Sequence, residues 1–180
     1  MRQRAATSRR FVVDANVARA ASEGGDARAA ECKTALENLR DLCHRIVLSP
    51  SQKAEWDRHK SAFSRRWLAS MFQKNKCDVM RDDPEVEIGP VVDTAASDVR
   101  RRATVKDEFW LSLAVATDYR ILSMDERART DFASLVAYDD RIGRVHFVNP
   151  THDSTAVVVW LEQGAPDDPG RCISQREPSP

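Results

Sequence analysis

The sequence predicts an α/β protein, a three-layer sandwich in which a central parallel sheet of four to five strands is flanked by helices. Short apolar runs of three or four residues predict strands that are buried on both faces. Longer segments with apolar residues at three- and four-residue spacing lie between them and predict amphipathic helices. Because short buried strands alternate with helices along the chain, parallel pairing with crossover helices is favoured.

Four segments predict strands, because each is a short, largely apolar run that ends at a polar residue or before a proline. These are residues 11–13, 45–48, 119–123 and 145–148. Helical spacing and composition predict helices at residues 27–44, 51–75, 91–102, 106–117 and 126–137.

Two further segments have no single clear hydrophobic pattern. Residues 78–90 contain two prolines and many acids, so we expect a loop with little regular structure. In residues 155–161 a β-branched run favours a strand. Asp153 as a cap and Gly164 as a terminator favour a helix there, which is the interpretation we prefer.

A chain of 180 residues fits one domain. We expect a disordered N-terminal tail at residues 1–8 and a folded domain at residues 9–150. A C-terminal element at residues 151–164 should pack on that domain, and a disordered tail should follow at residues 165–180.

Composition limits the class of protein. The charges of the 28 basic and 28 acidic side chains cancel, so the chain lacks the overall positive charge that would indicate a nucleic-acid-binding protein. The four cysteines form no CxxC pair, which predicts reduced thiols. The chain has no apolar run of about 18 residues, as a membrane span requires. Met1–Arg10 lacks the apolar stretch of a signal peptide, so we expect a cytoplasmic protein.

Two acids follow predicted strands, and ligands of parallel sheets bind beyond the carboxyl ends of the strands. Asp14 ends the first strand and Asp125 stands just past the third, so both should emerge at one edge of the sheet. Either acid alone could simply cap a turn.

Two more acids are expected to join them from helices. In the predicted helix at residues 51–75, Glu55 lies 8 residues before Phe63 and 12 before Trp67, on the apolar face. Asp57 should then point to solvent.

Asp107 begins another helix and shares a face with apolar residues, so we expect Asp107 rather than Glu108 to point inward. Such an Asp could also serve only the helix dipole. Four converging carboxylates repel one another unless a cation neutralises them, and their hard oxygens select Mg²⁺ or Mn²⁺.

At residues 9–150 the order of these motifs resembles the PIN-domain family. The family opens with a strand leading into Asp-x-Asn, and its later motifs are a turn and helix with the second acid, an Asp-headed helix, a strand followed by Ser/Thr-x-Asp and a closing strand. The similar segments are Phe11–Val17, Ser49-Pro50 with Ala54-Glu55-Trp56, Lys106-Asp107 with Leu111, Leu113 and Ala114, Ile121–Asp125, and Val145–Pro150. The long helix from Ser51 and the loop after it depart from the compact members.

The resemblance implies a metal-dependent endoribonuclease that hydrolyses RNA phosphodiester bonds. It implies an Mg²⁺ or Mn²⁺ site formed by four acids and supported by the hydrogen bonds of two polar side chains. The implied ligands are Asp14, Glu55, Asp107 and Asp125, and the supporting residues are Asn16 and Ser123. The simplest biological role that the resemblance implies is the toxin of a toxin–antitoxin pair. Its substrate would be RNA, and its possible partners are a cognate antitoxin and a second copy of the chain.

Local basic clusters offer phosphate contacts, although a solvated helix surface is the favoured interpretation of any one cluster. The RNA contacts we expect are Arg65, Arg66 and Arg127. The four histidines have no partnered arrangement and should be structural or exposed, and the tryptophans that we expect in the core are Trp56, Trp67 and Trp110.

Two other functions remain open. A PIN fold could serve only as a protein-binding module, although the presence of all four acids argues against a dead site. A phosphohydrolase of the haloacid-dehalogenase type also places an Asp after a strand, but it needs a second Asp two residues on, where this chain has Asn16.

Overall fold

The structure is a computed structural model that describes residues 7–21, 25–59, 61–84 and 108–175. Within these residues a five-stranded, all-parallel sheet has the strand order β3-β2-β1-β4-β5. The strands are β1 (Arg10–Val13), β2 (Arg45–Leu48), β3 (Cys77–Val79), β4 (Arg120–Leu122) and β5 (His146–Val148). The predicted parallel sheet is confirmed, with the larger of the two expected strand numbers.

Helices cover both faces of the sheet. They are α1 (Ala15–Ala20), α2 (Ala27–Asp41), α3 (Pro50–Arg58), α4 (Ala62–Gln73), α5 (residues 108–115), α6 (Glu126–Ala133), α7 (Asp140–Gly143) and α8 (Ser154–Glu162). The core cluster on one face includes side chains of α1, α2, α3, α4 and α8, and the cluster on the other includes α5, α6 and α7. The result is the three-layer sandwich that the sequence predicts.

The apolar run of β1 shows why this strand lies at the centre. Phe11 and Val13 belong to the core on one face, and Val12 belongs to the core on the other. Successive side chains of a strand point to opposite faces, so a wholly apolar strand needs a packed layer on each side.

The single helix expected at residues 51–75 is wrong. Instead, α3 ends at Arg58 and α4 begins at Ala62. The Ser64 N–H donates to the Ser61 hydroxyl at 3.0 Å, and the Ser61 N–H donates to the Ser64 hydroxyl at 2.8 Å. This reciprocal cap satisfies backbone donors at the new start, so the chain can break the helix there at low cost.

The loop expected at residues 78–90 is wrong at its start, because β3 pairs with β2 there. Arg45 of β2 donates from Nε to Asp78 of β3 at 2.8 Å. A short polar strand of this kind gives little apolar signal in the sequence. The rest of that segment from residue 85, the predicted helix at residues 91–102, residues 1–6 and residues 176–180 lie outside the described residues.

Helix α8 confirms the helical interpretation of residues 155–161. Asp153 accepts a hydrogen bond from the Ala156 N–H at 2.9 Å, and Gly164 has a φ of 92°. Glycine adopts that left-handed conformation without strain, as a helix terminator must.

The disordered tail expected from residue 165 is instead packed as far as residue 175. It forms short 3₁₀ turns at Pro169–Arg171 and Ile173–Gln175, and Ile173 is buried in the core. Near residue 137 the predicted helix also ends early, since α6 stops at Ala133 and α7 follows separately. Among the described helices, none is both long enough and apolar enough to cross a bilayer.

The position of the core predicts that two phenylalanines contribute very differently to stability. Phe132 is buried and packs edge-on against Phe147 with ring centroids 6.3 Å apart, whereas Phe72 is 46 % exposed. We expect Phe132→Ala to lower the free energy of unfolding by about 3–5 kcal/mol and Phe72→Ala by about 0.5 kcal/mol or less. Urea denaturation measures both, and equal losses would contradict the assignment of the core.

Candidate functional site

The strand order creates a crevice between β1 and β4. The chain continues from β1 towards β2 on one side, while β4 and β5 extend the sheet on the other. Ligands of open parallel sheets bind beyond the carboxyl ends of the strands at such a switch point. A cleft of about 260 Å³ opens there, and we call it the acid cleft. Its lining residues are Asp14, Asn16, Arg19, Glu55, His59, Trp110 and Asp125.

The end of β1 is held from two directions before it delivers Asp14. The Asp14 N–H donates to the Leu122 carbonyl of β4 at 2.9 Å. The Val13 carbonyl accepts from the Trp56 indole at 2.8 Å and from the Gln52 side-chain amide, both on α3. These bonds fix the strand end relative to β4 and α3, so the position of the Asp14 carboxylate is set by the fold.

The Asp14 carboxylate is 3 % exposed and hydrogen-bonded at both oxygens. Oδ1 accepts from the Asn16 N–H at 3.0 Å, which caps α1, and Oδ2 accepts from the Ser123 hydroxyl at 2.6 Å. A buried carboxylate needs such donors, because leaving water without them is costly.

Ser123 joins Asp14 to Asp125. Its buried hydroxyl donates to Asp14 and accepts from the Asp125 N–H at 3.0 Å. Asn16 adds a longer contact across the same gap, since its side-chain oxygen lies 3.4 Å from the Met124 nitrogen. Asn16 and Ser123 therefore make the kind of supporting hydrogen bonds expected of them, while their role towards a metal stays a prediction.

Glu55 enters the cleft from α3. Gln52, Glu55 and Trp56 form the buried stripe of this helix, and Glu55 is 9 % exposed. Asp57 is exposed and pairs with Lys53 at 3.4 Å. The expected choice of Glu55 over Asp57 as the inward-facing acid is therefore confirmed.

Two basic side chains contact Glu55. Arg58 forms an ion pair with Oε2, and His59 Nε2 lies 3.0 Å from Oε1. Arg58 is largely exposed, so its pair with Glu55 is weak and exchanges easily.

The fourth predicted acid, Asp107, lies outside the described residues, and so does the choice between it and Glu108. From α5, the cleft is lined instead by Trp110, whose side chain is buried. Its indole N–H has no hydrogen-bond partner among the described residues. Trp56 and Trp67 lie in the core as expected, stacked with ring centroids 5.7 Å apart.

The donor set of the acid cleft suits a hard divalent cation, because it consists of carboxylate oxygens. Asp14, Glu55 and Asp125 reach the cleft from three different segments. Within the described residues, however, no three His, Cys, Asp or Glu side chains are grouped closely enough to hold a metal ion. Carboxylates repel one another, and each of these three already contacts a donor. Metal binding would require Glu55 to exchange its basic partners for the cation.

Sequence reasoning missed the two basic residues of the cleft, Arg19 and His59. The available signal was helical spacing, since Arg19 follows Asn16 by three residues and His59 follows Glu55 by four. The arginines expected to contact RNA, Arg65, Arg66 and Arg127, are exposed but do not line the acid cleft.

The other histidines behave largely as expected. His44 is buried, with Nε2 at 2.9 Å from the Leu161 carbonyl, and burial lowers its pKa. His152 lies beside Glu126 at the surface, with the two side chains 3.4 Å apart. His146 is buried at the opposite end of the sheet from the acid cleft.

Comparison with known proteins finds no protein-family model, no curated protein and no solved structure that matches the chain. The resemblance to PIN domains therefore rests on the sequence motifs themselves.

The hydroxyl of Ser123 should contribute to stability, because it bonds to both strand-end acids. We expect Ser123→Ala to lower the free energy of unfolding by about 1–3 kcal/mol, since Asp14 loses a donor in a buried position. Ser134 is an exposed serine at the end of α6, and Ser134→Ala should change stability by about 0.5 kcal/mol or less. Thermal and urea unfolding measure both. A neutral Ser123→Ala would show that the bridge does not stabilise the strand ends.

Proposed function

We propose that the chain is an Mg²⁺- or Mn²⁺-dependent endoribonuclease of the PIN-domain kind. Asp14, Glu55 and Asp125, together with Asp107, would hold the metal. One observation carries the proposal: three of the four acids chosen from the sequence line a single cleft at the carboxyl edge of the sheet. They come from positions 14, 55 and 125, so their meeting is a property of the fold and not of local sequence.

Phosphodiester hydrolysis needs a water that attacks phosphorus and a means of neutralising the charge that develops on the phosphate oxygens. A divalent cation would supply both, by lowering the pKa of water and by acting as a Lewis acid. The carboxylates would position that cation, and Ser123 would keep Asp14 oriented towards it.

Donors in the same cleft suit the phosphate itself. Arg19 carries a positive charge at the cleft, and the Trp110 indole offers an N–H that has no acceptor among the described residues. Preorganised donors of this kind stabilise developing negative charge without reorganising during the reaction. The acid cleft therefore combines a cation-binding side with an anion-binding side, as a phosphoryl-transfer site requires.

Arg58 and His59 give the resting site a neutralised Glu55. When the cation binds, Arg58 would be released from Glu55 and would be available near the substrate backbone. Arginine suits that second role because its planar guanidinium pairs with phosphate oxygens through two N–H groups.

RNA as the substrate, an antitoxin as the partner, homodimer formation and a toxin role are proposed from the family resemblance. Arg65, Arg66 and Arg127 would contact RNA outside the cleft. The alternative is a PIN fold that only binds a partner protein. A test of metal-dependent cleavage distinguishes the two functions.

We expect the purified protein to cleave single-stranded RNA with Mn²⁺ and not with EDTA. Asp14→Asn should lower the cleavage rate by at least about 100-fold, because the ion loses a charged ligand. The variant should keep its fold, since an asparagine oxygen can still cap α1. Thermal unfolding checks the fold. Wild-type protein that binds no Mn²⁺ and leaves RNA intact would favour the binding module.

A matched pair of variants tests the orientation of α3. Glu55→Gln should weaken Mn²⁺ binding and cleavage by at least about tenfold, because it removes a charge that faces the cleft. Asp57→Asn makes the same chemical change two residues away, on the exposed side, and should stay near wild type. Calorimetric Mn²⁺ titration and initial cleavage rates measure both effects. Equal losses in the two variants would assign the effect to general surface charge.

A further inference from the structure

A second cleft, of about 600 Å³, opens at the opposite end of the sheet. We call it the amino-edge cleft, because Arg120 begins β4 and His146 begins β5, and both line it. It shares no lining residue with the acid cleft. A volume of this size is typical of small-molecule sites.

Arg120 places a buried guanidinium against this cleft. The residue is 2 % exposed, and its Nε donates to the Ala165 carbonyl at 3.0 Å. Its ion pair is with Asp167, at 2.8 Å, whose side chain is 81 % exposed. A buried cation is costly without a counter-charge, and a partner that stands in water supplies only a weak one. An anion in the cleft could take the place of Asp167.

Two further donors line the same cleft without a well-formed hydrogen bond among the described residues. They are Nε of Arg9 and Nδ1 of His146, and both atoms are buried. His146 is 3 % exposed and its Nε2 accepts from the Asp168 N–H at 2.8 Å. Burial lowers the pKa of His146, which favours the neutral imidazole, although a backbone contact with Tyr119 acts in the opposite direction. Because Nε2 accepts a hydrogen bond, the proton of the neutral ring lies on Nδ1. Buried donors without acceptors are rare and call for a ligand or water.

Four aspartates line the cleft, namely Asp118, Asp140, Asp167 and Asp168, and two of them pair with arginines outside it. Both oxygens of Asp118 accept from Arg10, each at 2.8 Å. Asp168 pairs with Arg171 at 3.0 Å. An anionic group could therefore accept from Arg9 and His146. Arg120 already donates to the carbonyls of Ala165 and Asp118, so an anion would reach it by displacing Asp167.

One wall of the cleft is flat. The guanidinium of Arg144 stacks over the ring of Tyr119, with its central carbon 4.7 Å from the ring centroid. Both residues line the cleft. A planar, partly apolar surface beside a cluster of donors suits a ligand that has a ring and an anionic group.

We propose that the amino-edge cleft binds the phosphate group of a small phosphate ester. Arg9, Arg120 and His146 would hold the phosphate oxygens, and the organic part would lie against Tyr119 and Arg144. The proposal does not depend on the nuclease function, because the two clefts lie at opposite ends of the sheet.

Calorimetric titration with inorganic phosphate and with adenosine 5′-monophosphate, at constant ionic strength, tests the proposal. We expect saturable binding of one equivalent, with the nucleotide bound more tightly. Arg9→Gln should weaken binding at least tenfold. Arg141→Gln removes the same charge from a residue that pairs with Asp139 outside the cleft, and it should leave binding unchanged.

Asp14→Asn, which alters only the acid cleft, should also bind like wild type. Three results would each overturn the proposal. They are the absence of saturable binding, equal weakening by Arg9→Gln and Arg141→Gln, and loss of binding in Asp14→Asn. Equal affinity for phosphate and nucleotide would show that Tyr119 and Arg144 do not contact the organic part of the ligand. His146→Phe keeps an aromatic ring against Trp160 but lacks the N–H. If this variant folds and binds phosphate normally, His146 is not a phosphate ligand. If it does not fold, the result for Arg9→Gln decides the proposal.

Discussion

The pairing of β1 with β4 is the interaction on which the acid cleft depends. It joins the first strand of the chain to a strand that lies more than 100 residues later. Two hydrogen bonds continue that pairing past the strand ends. The Asp14 N–H donates to the Leu122 carbonyl, and the Ser123 hydroxyl donates to the Asp14 carboxylate. Because parallel strands share one direction, every residue that follows them emerges at the same edge. The meeting of Asp14 and Asp125 is a geometric consequence of that rule.

Local contacts stabilise each of the acids that meet at this edge. Asp14 accepts hydrogen bonds, Asp125 caps α6, and Glu55 pairs with Arg58 and His59. Each contact lowers the cost of placing a carboxylate near the others.

The opposite edge of the sheet buries an arginine and a histidine at its strand starts. There the chain enters β4 and β5 through Arg120 and His146, and the C-terminal segment closes over them. The Ala165 carbonyl and Asp167 reach Arg120 from that segment. The packed C-terminal segment therefore explains how a guanidinium can be buried at a strand start, and it creates the larger cleft.

The sequence by itself determined the elements whose signal is local. The apolar runs of β1, β2, β4 and β5 and the spacing in α2 and α5 were readable because burial on a sheet demands those patterns. The inward orientation of Glu55 was predicted correctly but for an incomplete reason. It assumed one helix continuing to Trp67, whereas α3 ends at Arg58 and the buried stripe is Gln52, Glu55 and Trp56.

Only the tertiary structure decided the features that depend on distant neighbours. β3 exists because β2 offers it a pairing edge, and residues 165–175 are ordered because Arg120 and the core accept them. Arg19 and His59 line a cleft that exists only because the fold brings the acids of distant segments together. A strand or helix pattern reflects the burial of its own residues, whereas a site depends on which distant residues the fold brings into contact.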